Sequence, residues 1–281
     1  LGKVTPLREA LEEVPDGGHV GFGGFAITRN VTAAAHELIR LGRTGLTLTQ
    51  CVGGLDTDLL VGGGAVRRLI YSGGSLDRFG LLYAVNAAVV SGRIEVQEYS
   101  SLALALRLHA AGLGLPFVPS RSMLGSDLLE PLIDSGGVEV GVDPFGGSPV
   151  VLMPPLRPDV AVVHVDVADE AGNSCLAGPT WTIPDLAFAA GRTIVLCEEV
   201  VPVGSIPPER VVIPGAIVEA VCVVPRGAHP SAVYGRYDYD AGHLRQYVET
   251  VRTGSDGMTS YLDRYVRGVS DFEEYLREVG A

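Results

Sequence analysis

An open α/β fold, with a mainly parallel sheet flanked by helices and closed by a helical tail, is what this sequence predicts, and three observations carry the expectation. Short apolar runs of strand length alternate with segments whose apolar residues recur at helical spacing, the pattern of strands joined by crossover helices. Two of those runs, Val160 to Val165 and Thr193 to Cys197, read as continuously apolar, as strands covered on both faces do. Finally, 281 residues, 47% of them hydrophobic and 19% charged, can bury a full core. One domain over 1–281 is expected, with two closely packed lobes as the alternative.

Taken in order, Leu7 to Val14 is a short amphipathic opening. A strand starting at His19 passes through Gly21-Phe22-Gly23-Gly24-Phe25 into a helix in which Val31, Ala34, Ala35, Leu38 and Ile39 share one stripe, with Gly42 as its stop. Leu46 to Cys51 and Val66 to Tyr71 are the next strands. Helical segments Leu81 to Val90 and Leu102 to Ala111 lie either side of a short strand, Ile94 to Gln97; the second helix is apolar nearly all round, so it is expected to be buried. The stretch 115–158 is rich in Gly and Pro and stands apart as a loop-rich subdomain. Beyond it the two apolar strands enclose a helix, Trp181 to Ala190, and Val211 to Val224 gives more strand, broken at Pro214-Gly215. The tail, 240–281, is helical: Leu244, Tyr247, Val248 and Val251 form one stripe, and Phe272, Tyr275, Leu276 and Val279 another. The tyrosines concentrated there point to packing under the tail or against a partner.

Composition narrows the function. Twenty-one basic against thirty-three acidic residues give a net charge of -12, which argues against nucleic-acid or anionic-membrane partners, since both need a basic face. A small anion held by local amides is still allowed. Cys51, Cys175, Cys197 and Cys222 are far apart with no C-x-x-C spacing, so buried reduced thiols are expected, not a zinc or redox site. The histidines show no metal-ligand spacing, and no metal is expected. No apolar run approaches the ~20 residues of a membrane span, and the opening residues carry no signal-peptide pattern, so the cytoplasm is the expected compartment.

The chemistry centres on the first strand's exit. A strand that meets a helix through glycines lets a ligand approach backbone N–H groups, so an anion or oxyanion site is expected at Gly23, Gly24 and Phe25, helped by the positive end of the helix starting near Asn30. Gly21, Gly23 and Ala26 also fit a dinucleotide fingerprint, G-x-G-x-x-A. The acidic residue that would hold a ribose at the end of the second strand is absent, because Gln50 and Cys51 stand there and Asp56 comes only after Gly53-Gly54. A purely structural glycine turn is the third reading.

Four separated segments carry a family resemblance. Asp16-Gly17 followed by Gly23-Gly24-Phe25, the loop Pro116-Phe117-Val118-Pro119-Ser120-Arg121-Ser122-Met123-Leu124-Gly125-Ser126-Asp127, the turn Ala168-Asp169-Glu170-Ala171-Gly172-Asn173, and Gly227-Ala228-His229-Pro230 leading to Tyr237-Asp238-Tyr239 together resemble the A subunit of family I CoA-transferases, in the glutaconate-type branch. The general signature has a G-x-P after the phenylalanine, whereas this chain reads Thr28-Arg29-Asn30-Val31. The resemblance implies the CoA-transferase type of α/β fold, and a reaction in which a glutamate attacks an acyl-CoA thioester and CoA then returns to give a glutamyl-CoA thioester. It also implies that the glutamate sits in an S-E-N-G-like motif on a separate B subunit, and no Glu-Asn-Gly occurs in this chain. The expected partner is therefore that B subunit. The expected substrates are an acyl-CoA and a carboxylic acid, dicarboxylic or 3-oxo, with CoA as substrate and no prosthetic group.

Other candidates stand at strand ends or on loops. Glu98 ends a strand and either faces the cleft as a carboxylate for acid–base work or caps the following helix; in the cleft it would permit a hydrolase that cleaves a CoA ester or an acyl ring. Ser72 and Ser75 either hydrogen-bond a substrate carboxylate or form a polar turn. Arg121 either contacts a ligand or partner or fixes its loop through a salt bridge. His229 and the Asp169/Asn173 pair read as architecture. A non-catalytic effector-binding domain on the same fold is a further rival, and it would bind its ligand without a second polypeptide.

Overall fold

The structure, a computed structural model, describes residues 2–281. The chain begins α1 (Leu7–Glu12), β1 (His19–Phe25), α2 (Thr32–Arg40), β2 (Leu46–Val52), α3 (Leu55–Gly62), β3 (Val66–Tyr71), α4 (Tyr83–Val90), β4 (Glu95–Glu98) and α5 (Ser101–Gly112). A middle section follows with β5 (Val118–Ser120), α6 (Leu129–Asp134), β6 (Glu139–Val142) and β7 (Pro149–Met153). The second half is β8 (Val160–Asp169), β9 (Ser174–Cys175), α7 (Ile183–Ala189), β10 (Arg192–Val201) and β11 (Val218–Val223). The tail is α8 (Ala241–Val251), α9 (Ser255–Leu262) and α10 (Phe272–Val279).

The main sheet runs β11-β10-β8-β1-β2-β3-β4, every neighbouring pair parallel, with β9 added antiparallel to β8. From β1 the chain walks outward through β2, β3 and β4, then returns to the opposite side of β1 for β8 and walks out the other way. The loops that leave β1 and β8 therefore diverge at the carboxyl ends of the strands. In open α/β sheets that switch of direction opens the crevice where ligands bind.

Two apolar layers sandwich this sheet. One packs Val20, Phe22, Leu48 and Val162 against α2, α3, α4 and the tail; the other packs Val163, Val165 and Val195 against α5 and α7. The glycines of β1 are part of the second layer. A Cβ on Gly21 would lie 2.5 Å from Leu186 Cδ1, and one on Gly23 3.2 Å from Ile183 Cγ1, so both glycines let α7 sit directly on the strand.

Some expectations needed correction. The stretch 115–158 holds a three-stranded antiparallel sheet, β5-β7-β6, and a helix, which its prolines and glycines disguise by keeping each element short. α5 is only half covered, since Leu102 on its outer side is 58% exposed. α3 carries no amphipathic stripe because Leu55 through Val61 are all buried, the acids Asp56 and Asp58 included. Asp58 is satisfied by the Val85 amide at 2.9 Å and the Tyr247 hydroxyl at 2.7 Å, and burial pushes its pKa up to about 6.

The tail folds over the first layer and fills it with Tyr247, Tyr261, Tyr265 and Tyr275; Tyr275 is hydrogen-bonded to His229 and Tyr261 to His243. All four cysteines are buried and free. Among the described residues no helix is long and apolar enough to cross a membrane.

Candidate active site

The glycine turn sits at the switch point, and its hydrogen bonds are nearly all made within the chain. The Phe25 amide donates to the Thr28 carbonyl at 2.8 Å, Ala26 to Val52 at 3.2 Å, Thr28 to Phe25 at 2.8 Å and Arg29 to Ala232 at 2.8 Å. The Asn30 amide donates to Ser231 Oγ at 3.0 Å and Val31 to Asp56 Oδ2 at 3.0 Å. Two expectations change with this. Phe25 N–H is committed to its own turn and has no free hydrogen for an oxyanion. The positive end of α2 meets the buried carboxylate of Asp56, so it is not left for a ligand. Asp56 also accepts from Gln50 Nε2 and from the Thr57 amide, and burial pushes its pKa up to about 6.

Gly24 stands at the irregular end of the strand. Pairing with β8 ends at Phe22, the register with β2 shifts between Phe22 and Phe25, and Gly24 has no partner in either ladder. Its φ is +91°, and a Cβ there would lie 2.5 Å from the Arg29 carbonyl oxygen, so no other residue fits. Gly23, expected at the ligand, has its carbonyl taken by Gln50 Nε2 at 2.8 Å and its side-chain position pressed by α7.

Arg29 holds this turn in place. It is 1% exposed, and its guanidinium reaches Asp166 Oδ1 at 2.7 Å and the Ala177 carbonyl at 2.7 Å, while the Ala177 amide donates to Asp166 Oδ2 at 2.6 Å. The loop so attached ends at Trp181, whose ring stacks on Phe25 with centroids 4.0 Å apart and planes 16° apart. Sequence reasoning missed Arg29, Asp166 and Trp181, because each acts through a partner more than a hundred residues away.

Next along the strand ends lies a hydroxyl cluster. Ser72 Oγ donates to the Cys51 carbonyl, lies 3.0 Å from Ser101 Oγ and 3.8 Å from Cys51 Sγ. Ser100 caps α5 through the Ala103 amide at 3.1 Å and also bonds Ser122, which brings the loop after Arg121 to the same edge. Burial raises the Cys51 thiol pKa, with Ser72 and Thr182 beside it. Glu98 is exposed and closes β4; its Oε1 would be 3.9 Å from a Cβ on Gly73. Tyr71, its neighbour across the ladder, has its hydroxyl pKa raised by burial and then by that carboxylate. Ser75 accepts from the Asp77 amide at 3.2 Å, a turn contact.

Arg121 is exposed and its guanidinium makes no hydrogen bond or ion pair among the described residues, so the loop-fixing salt bridge is not found. It lines a groove of about 590 Å3 with Phe117, Val142 and Phe145. His229 is bonded to Tyr275 at 2.9 Å and to Asp240 at 3.2 Å, and Asp169 bonds the amides of Ala171 and Asn173, architecture in both cases. No group of three or more His, Cys, Asp or Glu among the described residues is placed to hold a metal.

Known proteins resemble the chain in sequence and fold. A model of the coenzyme A transferase family matches residues 4–223. The A subunit of the 3-oxoadipate CoA-transferase of Pseudomonas knackmussii is 36% identical over 99% of both chains. The crystal structure of glutaconate CoA-transferase from Acidaminococcus fermentans superposes with a TM-score of 0.93 at 32% identity, covering 99% of this chain and 93% of that one. The IpdA subunit of a cholesterol ring-cleaving hydrolase of Mycobacterium tuberculosis is 30% identical over 99% of this chain and 98% of its own. An Archaeoglobus fulgidus protein is 38% identical over 99% of this chain, which spans only 62% of that relative's length. With the family model covering most of its length and full-length relatives above 30% identity, the chain belongs to the coenzyme A transferase family.

Proposed function

We propose that this chain is the A component of a heteromeric CoA-transferase, moving CoA between an acyl-CoA and a carboxylic acid, with the nucleophilic glutamate supplied by a partner B subunit. One observation carries the reading: the chain is alike over its whole length to a protein named as the A component of such an enzyme, yet contains no Glu-Asn-Gly of its own. In the reaction a carboxylate oxygen of the partner adds to the thioester carbonyl carbon, and CoA thiolate leaves to give an acyl-glutamyl anhydride. The thiolate then adds to the glutamyl carbonyl, the first acid leaves, and an enzyme thioester remains for the second acid to take up in reverse.

Each addition passes through a tetrahedral oxyanion, and a preset amide donor in a dry cleft stabilises one by ~3–4 kcal/mol. Gly24 N–H is this chain's candidate donor, since it stands outside both ladders at the switch point. Ser72, with Ser101 beside it, offers hydroxyls to a substrate carboxylate, and Arg121 offers a free guanidinium at the rim. CoA enters as substrate, and the reaction needs no metal or prosthetic group.

The test is reconstitution. This chain alone should not exchange CoA between an acyl-CoA and a free acid, and the complex with its co-expressed partner should; exchange by the isolated chain sinks the reading. A second reading has Glu98 as the general base of a CoA-ester or ring hydrolase, favoured by its exposed carboxylate at the strand end and by the likeness to the ring-cleaving enzyme. Glu98→Gln separates the two: transfer on a partner's glutamate should survive within about tenfold, whereas base-catalysed hydrolysis should fall by about a hundredfold or more.

A further inference from the structure

We propose that the outer face of the Trp181 indole is the platform on which the acyl chain of the thioester lies, making Trp181 the residue that sets acyl-chain preference. The inference rests on the transferase reading above and adds the substrate class: an acyl group with an apolar stretch of several carbons next to its thioester.

Position is the first argument. The crevice of this sheet opens beyond the carboxyl ends of β1 and β8, and two aromatic rings meet there, Phe25 at the end of β1 and Trp181 on the segment between β9 and α7. The indole's inner face is stacked on Phe25 at 4.0 Å, yet the residue as a whole is 42% exposed, so a flat apolar surface is left open at the rim of a polar strand edge.

The second argument is how firmly the ring is held. Trp181 has a left-handed φ of +49°, a conformation that bulky residues adopt only where their surroundings enforce it. Its loop is tied at Ala177 on both sides of the peptide, to Arg29 Nη2 and Asp166 Oδ2, an ion pair sealed from water. Gly178 packs beneath the Tyr234 ring, and Thr182 sits beside the Cys51 thiol. A surface side chain free to fold down would bury its own apolar area; this one is fixed with much of it open.

The third argument is what adjoins it. Beneath the rim, Thr182 adjoins the buried Cys51 thiol, which in turn adjoins Ser72 and, through it, Ser101, while Phe25 leads back to Gly24. An acyl group with its carbonyl at Gly24 would lay its carbons on the indole and turn a distal polar group toward the serines.

The experiment uses the complex with the co-expressed partner polypeptide, comparing kcat/KM for hexanoyl-CoA and acetyl-CoA as donors. Trp181→Ala should lower the hexanoyl-to-acetyl ratio about tenfold, mostly through KM, and Trp181→Phe should restore most of it. Equal losses for both donors, or none, overturn the proposal. So does emission of Trp181 that shifts on assembly and does not respond to hexanoyl-CoA, the result expected if the partner covers the ring. Should the complex catalyse no transfer, calorimetric titration with hexanoyl-CoA decides separately: weaker binding by Trp181→Ala keeps this inference while the transferase reading falls, and unchanged binding overturns this one.

Discussion

Replacing Gly24 by alanine tests the geometry of the turn directly. Two costs add. At φ of +91° an L side chain is strained by about 1–2 kcal/mol, as at any left-handed position. The new Cβ would also sit 2.5 Å from the Arg29 carbonyl oxygen, well inside the contact distance for carbon and oxygen. That oxygen cannot yield cheaply, because the Arg29 amide is bonded to Ala232 and its guanidinium to Asp166 and Ala177. Forcing the overlap adds about 1–3 kcal/mol, so Gly24→Ala should cost about 2–5 kcal/mol in all. Gly42→Ala is the control: its φ is +67° and nothing lies within 4 Å of a new Cβ, so it should cost only the first amount. Urea unfolding of the two variants, followed by far-UV circular dichroism, measures the difference. Equal losses would refute the claim that Arg29 backs the turn.

Other consequences follow from buried charge. Arg29→Met strands Asp166 in the interior with only the Ala177 amide, and should cost about 3–5 kcal/mol by the same unfolding measurement; a loss under about 1 kcal/mol would show the pair to be dispensable. Burial lowers the pKa of His36 well below its ordinary value and that of His19 and His243 to about 4, so each binds a proton more readily unfolded than folded. Their contribution to stability is present above the unfolded value of about 6.5 and is lost as pH falls below it. Asp56 and Asp58, raised to about 6, work in the opposite sense and offset two of these protons between pH 6 and 4. Burial lowers His229 as well, so histidines outnumber the two aspartates; stability read from urea midpoints should fall as pH drops from about 6 to about 4, and a flat or rising profile would contradict it. Burial raises the thiol pKa of all four cysteines, Cys197 and Cys222 to about 12, so none should react with Ellman's reagent near neutral pH until urea is added; a fast-reacting thiol in the native protein would contradict that.

Much of the fold was legible because its signals are local. The stripe from Val31 to Ile39 became α2, Val66 to Tyr71 became β3 at those same residues, and Val160 to Val165 became the first part of β8. α3 escaped because the rule that carboxylates face water fails there: Asp56 and Asp58 are satisfied by hydrogen bonds from Val31, Gln50, Val85 and Tyr247 that no local pattern announces. At the site, the glycines were found but their purposes differ from one another. Gly21 and Gly23 are small because α7, more than 150 residues on, packs against them, while Gly24 is small because Arg29 lies behind it. Phe25 was expected to lend its amide and instead lends its ring, to Trp181. These are long-range contacts, and sequence periodicity carries no information about them.

The division of labour between two polypeptides is tested most directly by locating the covalent intermediate. Incubating the assembled complex with acyl-CoA, quenching, and mapping the CoA adduct by peptide mass spectrometry should place it on a glutamate of the partner polypeptide, with this chain unmodified. An adduct on this chain, at Glu98 or anywhere else, would contradict the account.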